Sequence, residues 1–215
     1  DVYKRQGCDS EKMFDGLTIG KSSDFKKHLN KYDVIHIDVQ WFLSSCADIK
    51  SIISYITQSV FEELKEYYPE VLPNEVLTLA DALSRIRNST GQKFIVIIDE
   101  WDILIRDEAT NKAVQEEYIY FLRGLFKGTE PTKYIQLAYL TGILPIKKEK
   151  TQSALNNFDE FTMVSAGTLA PFIGFTEEEV KNLCEEYHKD FDKVKKWYDG
   201  YSVSYTHLRA HETSA

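Results

Sequence analysis

Cysteine is scarce in this sequence. The three residues Cys8, Cys46 and Cys184 are odd in number, and no two have the spacing of a metal site or a disulfide framework. That usage suits a reducing compartment, and the cytoplasm is the expected location. Long apolar runs are missing as well: no stretch approaches the roughly twenty residues that a membrane helix needs, so no membrane partner is expected. Positive charge is in deficit, with 26 Lys and Arg against 34 Asp and Glu and a net charge of −8. An acidic chain of this kind does not present a broad nucleic-acid footprint. Arginine disappears altogether between Arg123 and Arg209. What remains, 43% hydrophobic and 28% charged residues, is the composition of a globular protein. Its length suffices for one domain with a sizeable core.

The two ends stand apart from this composition. Residues 1–6, DVYKRQ, back-translate to GAT-GTG-TAT-AAG-AGA-CAG, which resembles a transposase adapter of the kind used in shotgun sequencing. Residues 203–213, VSYTHLRAHET, resemble the reverse complement of the same adapter read in another frame. The expectation is therefore that 1–6 and 203–215 are adapter-like and that 7–202 is the natural segment, open at both ends.

Within that segment, strand and helix patterns alternate. Val34 to Val39 reads as a strand. Ile52, Ile53, Ile56, Val60, Phe61 and Leu64 then recur at helical spacing up to Tyr68. Thr78 with Asp81 opens another helix through Leu79, Leu83 and Ile86, which residues 88–91 stop. Phe94 to Ile98 is an unbroken β-rich apolar run, the pattern of a parallel strand buried on both faces. A helix with Val114, Tyr118, Phe121, Leu122 and Leu125 inward comes next, stopping at Gly128. Residues 134–141 form the next strand, and 161–164 a weaker one. From Thr176 onward the pattern is helical. Strands separated by helices predict an α/β fold, a parallel sheet with helices on both sides.

The chemistry concentrates where the most apolar strand ends, at Ile98, Asp99 and Glu100. Four or more apolar residues followed by Asp-Glu form the Walker B pattern. In an open α/β sheet the carboxyl ends of strands face the ligand crevice. An Asp there can hold the Mg²⁺ that bridges nucleotide phosphates, and the next residue, Glu100, can polarise the attacking water. The plain alternative is a buried strand closed by two solvated acids. Asp102 is a further candidate for cofactor binding. Thr141, at the tip of the next strand, is placed to contact the γ-phosphate or orient the water; its simpler role is a helix N-cap. Upstream, Gly16 to Ser22 imitates the phosphate loop G-x-x-x-x-G-K-[ST], but only three residues separate Gly16 from Gly20 and no apolar strand precedes it.

The segments KFIVIIDEWD (93–102), YLTGILPIK (139–147), GFTEEEVKNLC (174–184) and WYDGY (197–201) resemble, in order, those of the bacterial AAA-ATPase-like proteins. The resemblance spans nearly all of 9–202. It implies a three-layer P-loop NTPase of the ASCE/AAA-like kind, using ATP and Mg²⁺, with Asp99 as the Walker B acid and metal ligand, Glu100 as the base and Thr141 as sensor 1. It also implies a Walker A element of the form R-R-F-G-K-S upstream of residue 7. Beyond residue 202 it implies, in many members, a PD-(D/E)XK nuclease-like domain through which nucleic acid could be a partner.

The expected organisation is a partial P-loop core over 7–170, lacking the Walker A strand, and the start of a helical lid over 171–202. Such a piece would be inactive by itself. The resemblance also places the missing strand beside the Walker B strand, which would leave Phe94–Ile98 with an unpaired edge and the chain poorly soluble. No arginine matches a finger or sensor 2 position. Lys147, Lys148 and Lys150 lack the bidentate fork that would replace one, and Arg106 and Arg123 are expected in surface ion pairs. Oligomer formation is left open. A non-catalytic interaction module is the alternative. A metal nuclease using Asp99, Glu100 and Asp102 is disfavoured, because no Asp followed by Glu-x-Lys lies on a paired strand.

Overall fold

The computed structural model describes residues 2–4, 10–106, 111–144, 155, 157–162, 165, 167–172, 174–198 and 207–208. Lys147, Lys148, Lys150, residues 163–164 and most of residues 1–6 and 203–215 lie outside them. The chain forms two compact units, Asp1–Phe158 and Asp159–Ala215.

In chain order the first unit contains β1 (Val2–Lys4), two short 3₁₀ turns (Glu11–Phe14 and Thr18–Lys21), α1 (Phe25–His28), β2 (Asp33–Asp38), α2 (Val39–Ser45) and α3 (Ile52–Tyr67). After these come α4 (Leu79–Thr90), β3 (Phe94–Asp99), α5 (Ile103–Arg106), α6 (Lys112–Phe126), α7 (Pro131–Tyr134) and β4 (Ile135–Leu140). The second unit holds β5 (Phe175–Thr176), α8 (Glu177–Glu186), α9 (Phe191–Tyr198) and β6 (His207–Leu208), with β5 and β6 antiparallel.

The fold is α/β. Three parallel strands run in the order β2-β3-β4, and β1 pairs antiparallel on the outer side of β2. Strand β3 is thus central and paired on both sides, which corrects the expected unpaired edge along Phe94–Ile98. Among the described residues the sheet edges are β1 and β4. On β4, Leu137 and Tyr139 are 55% and 49% exposed, so any aggregation hazard moves to that strand.

One sheet face carries the core. Ile35 and Ile37 of β2 and Phe94, Val96 and Ile98 of β3 are fully buried against Ile52, Ile56, Val60 and Leu64 of α3, Leu83 and Ile86 of α4, and Tyr118 and Leu122 of α6. Each such side chain contributes about 1.5–3 kcal/mol. The other face is covered less completely than the apolar run in β3 suggests. Val34, His36, Ile95 and Ile97 are half-buried. Segment 10–32 leans over Val34 and Ile95 and leaves a cleft of about 460 Å³.

Local signals explain the element ends. Thr78 accepts a hydrogen bond from the Asp81 amide at 3.2 Å, and α4 runs on to Thr90 before Gly91 stops it at φ 77°. Before α8, Thr176 and Glu179 form a complete capping box. Two expected strands change: the first residue of 134–141 ends a short helix opened by Pro131, and Phe161 and Thr162 are not in a strand.

Candidate functional site

The site is built on the carboxyl edge of the sheet. Strand β3 ends at Asp99, and in parallel register it sits beside Asp38, the end of β2. On its other side β4 ends at Leu140, so Thr141 comes next at the neighbouring tip. Two backbone bonds join these tips: the Thr141 amide donates to the Ile98 carbonyl and the Trp101 amide donates to the Thr141 carbonyl, both at 2.9 Å. The Thr141 hydroxyl donates to Asp99 Oδ1, which also accepts from the Glu100 amide at 3.1 Å. Asp99 and Thr141, forty-two residues apart, are in direct contact.

Glu100 adopts a left-handed conformation, φ 52°. This costs a non-glycine residue on the order of 1 kcal/mol. Its carboxylate meets Arg106, whose Nη2 donates to Glu100 Oε2. The Arg106 Nε lies 3.2 Å from Asp102 Oδ2. Arg106 is therefore ion-paired, but not in the surface pair expected of it: it is one third exposed, and one partner, Asp102, is fully buried.

Asp102 is located differently from a cofactor ligand. Its side chain is fully buried, and Oδ2 accepts the amides of Ile143 at 3.2 Å and Leu144 at 2.8 Å. The turn after β4 thus hangs on this carboxylate. Asp102 Oδ1 and the Tyr118 hydroxyl are buried without a hydrogen-bond partner among the described residues. Burial, then the negative charge of Asp102, holds the Tyr118 hydroxyl far above its ordinary titration range.

Gly142 belongs to the same structure. A Cβ there would lie 2.5 Å from Asp102 Oδ1 and 2.6 Å from Trp101 Cδ1. Both neighbours are buried and cannot give way, so Gly142→Ala is expected to cost about 2 kcal/mol. A thermal melt should fall by about 4–8 °C. An unchanged melting temperature would show that the turn can move off Trp101.

Sequence reasoning passed over two residues here. Asp38 ends its strand with an Ile-Asp pair like that of Asp99, and this was the signal available. It caps α2 by accepting from the Trp41 amide at 2.9 Å. Gly142 carried no signal in spacing. The Gly16 to Ser22 string is a surface turn: residues 18–21 form an exposed 3₁₀ turn with another 3₁₀ turn, not a strand, before it.

The donor set can be tested against Mg²⁺. Among the described residues no group of three or more His, Cys, Asp or Glu could hold a metal. A carboxylate with a hydroxyl beside it fits an ion that takes one or two protein oxygens and completes its shell with water and phosphate. The residues therefore fit phosphate-bridged Mg²⁺ and do not form a self-sufficient metal cage.

Three parallel strands flanked by helices, with acids and a threonine at their carboxyl edge, define an α/β protein of the P-loop-like, three-layer kind. The chain belongs to the AAA-ATPase-like family: the family model described as "Predicted AAA-ATPase" matches residues 1–151. It is also similar to a protein described as "Uncharacterized protein in vnfD 5'region" from Azotobacter chroococcum mcd 1. The two are 29% identical over 115 residues, which is 52% of this chain and 22% of that relative. The chain thus spans well under two thirds of that relative's length. No solved structure matches it significantly. Among the described residues no helix is long and apolar enough to cross a membrane.

Proposed function

We propose that this chain supplies the Walker B half of an ATP-binding and ATP-hydrolysing site, and that it is inactive without a phosphate loop contributed by further sequence. The reading is carried by the direct bond between Asp99 and Thr141, which brings a strand-end acid and the tip of the neighbouring parallel strand to one point. When bound, MgATP supplies the electrophilic phosphorus. Asp99 would hold the ion, mostly through water. Thr141 would turn its hydroxyl from Asp99 to the terminal phosphate or the attacking water. Glu100 would orient that water and accept its proton. Asp102 has no free face toward ligand; it keeps the turn of Ile143 and Leu144 in place, and with it the Thr141 backbone.

The phosphate itself lacks a cradle here, because no G-x-x-x-x-G-K-[ST] occurs in the sequence. The 215-residue chain mixed with MgATP is therefore expected to release no phosphate above background, whereas the gene product that includes a phosphate loop hydrolyses ATP. Turnover by the chain alone that Glu100→Gln abolishes would overturn this division. A second reading, a non-catalytic interaction module, draws on the Glu100–Arg106 pairing, which leaves the acid engaged within the protein. It requires the complete gene product to hydrolyse no ATP, so the same assay separates the two. Nucleic acid as a partner, reached through a nuclease-like domain, and a cytoplasmic location belong to this proposal as well.

A further inference from the structure

Arg106 ends α5 between two carboxylates of unlike character. Asp102, contacted by Nε at 3.2 Å, is fully buried and also bears the Ile143 and Leu144 amides. Glu100, contacted by Nη2, is 39% exposed at its side chain. One end of the guanidinium is thus fixed to an immobile anchor, and the other holds an acid that solvent can reach. Both contacts use the planar fork, which a lysine could not reproduce. The left-handed backbone at Glu100, φ 52°, belongs to the same arrangement: the residue after the strand is turned so that its carboxylate meets α5. While Oε2 is bonded to Arg106, that oxygen is not available to a water in the crevice.

We propose that Arg106 is a positioning residue that keeps Glu100 in a standby orientation, anchored through Asp102 to the turn after β4, and releases it when the reacting water is in place. This rests on the reading of Glu100 as the base. The strength of the contact suits a latch. With one third of Arg106 and more than a third of Glu100 exposed, the pair favours the engaged state by a factor of up to about five. A buried pair would hold Glu100 permanently. This one is weak enough to exchange for a bond to water within each turnover, and strong enough to keep most molecules on standby.

The first test needs no nucleotide. Carboxyl footprinting with a carbodiimide and glycine ethyl ester, read by mass spectrometry on the 215-residue chain, reports how free each acid is. Arg106→Gln is expected to raise labelling of Glu100 about three- to fivefold and to leave buried Asp102 unlabelled. Arg106→Lys, which keeps charge without the fork, should give an intermediate rise. Should Asp102 become labelled in Arg106→Gln, that variant has opened the turn and Arg106→Lys takes its place in the comparison. Unchanged Glu100 labelling in the folded variant overturns the latch. In the gene product that includes the phosphate loop, Arg106→Gln should raise kcat for ATP about three- to fivefold with KM changed less than about twofold. A fall in kcat would mean that Arg106 assists the reaction, and would overturn the standby role. Failure of the underlying reading looks different: Glu100→Gln would then leave turnover intact whatever stands at residue 106.

Discussion

Glu100→Gln lowers kcat for ATP hydrolysis by about two to four orders of magnitude in the gene product that includes a phosphate loop, and leaves ATP affinity within a factor of about two. The size of the effect is that of a lost general base. Glutamine preserves the volume of the side chain and its bond from Arg106 Nη2, so the backbone turn at φ 52° and the contacts around it persist. Only the ability to take a proton from water is removed. Asp99→Ala is the informative contrast. It removes the acid on which Thr141 rests and the oxygen that would face the ion, so it weakens MgATP binding as well as turnover. Phosphate release and calorimetric ATP binding on the two variants separate the roles. A Glu100→Gln protein that keeps a tenth or more of wild-type kcat would rule out Glu100 as the base. Equal loss of affinity in both variants would mean that Glu100 binds rather than reacts.

How far these residues were legible in the sequence depends on the range of the interaction that fixes each. Asp99 and Glu100 were readable because a continuous apolar run announces a parallel strand, and the residues closing such a strand lie at its carboxyl edge. The caps at Thr78 and Thr176 were readable because a side-chain bond to the third residue onward is local. Helix α2 was not expected: seven residues give too few turns for a periodic signal. The centrality of β3 was hidden as well, because pairing order is set by packing between elements and not by any one strand. Half-burial of Ile95 and Ile97 has the same origin. Their composition suits two covered faces, yet coverage depends on what segment 10–32 reaches. Asp102 shows the limit most sharply. Three residues from Asp99 it read as a companion ligand, but the start of α5 carries it inward, beneath the turn after β4. Likewise, the spacing of Arg106 from Glu100 says nothing of a left-handed residue between strand and helix.

Asp102 also gives the largest effect on stability. Replacing it with alanine is expected to lower the unfolding free energy by about 2–4 kcal/mol, the cost of taking the acceptor from several part-buried donors at once. Three groups lose their acceptor together: the amides of Ile143 and Leu144, and Nε of Arg106. Alanine fills none of the space at a fully buried position, and only part of the loss is made good by water, which reaches exposed Ile143 and the exposed third of Arg106. Asparagine should cost roughly half as much. Its carbonyl oxygen can take the place of Oδ2 and keep the two amides, and only the charge opposite Arg106 is lost. Urea unfolding followed by tryptophan fluorescence suits the comparison, because Trp101 is buried beside this carboxylate and reports on its surroundings. Equal destabilisation by alanine and asparagine would place the stabilising interaction in the charge pairing with Arg106. A graded loss places it in the loop amides, and then Asp102 serves the site by holding up the backbone from which Thr141 reaches Asp99.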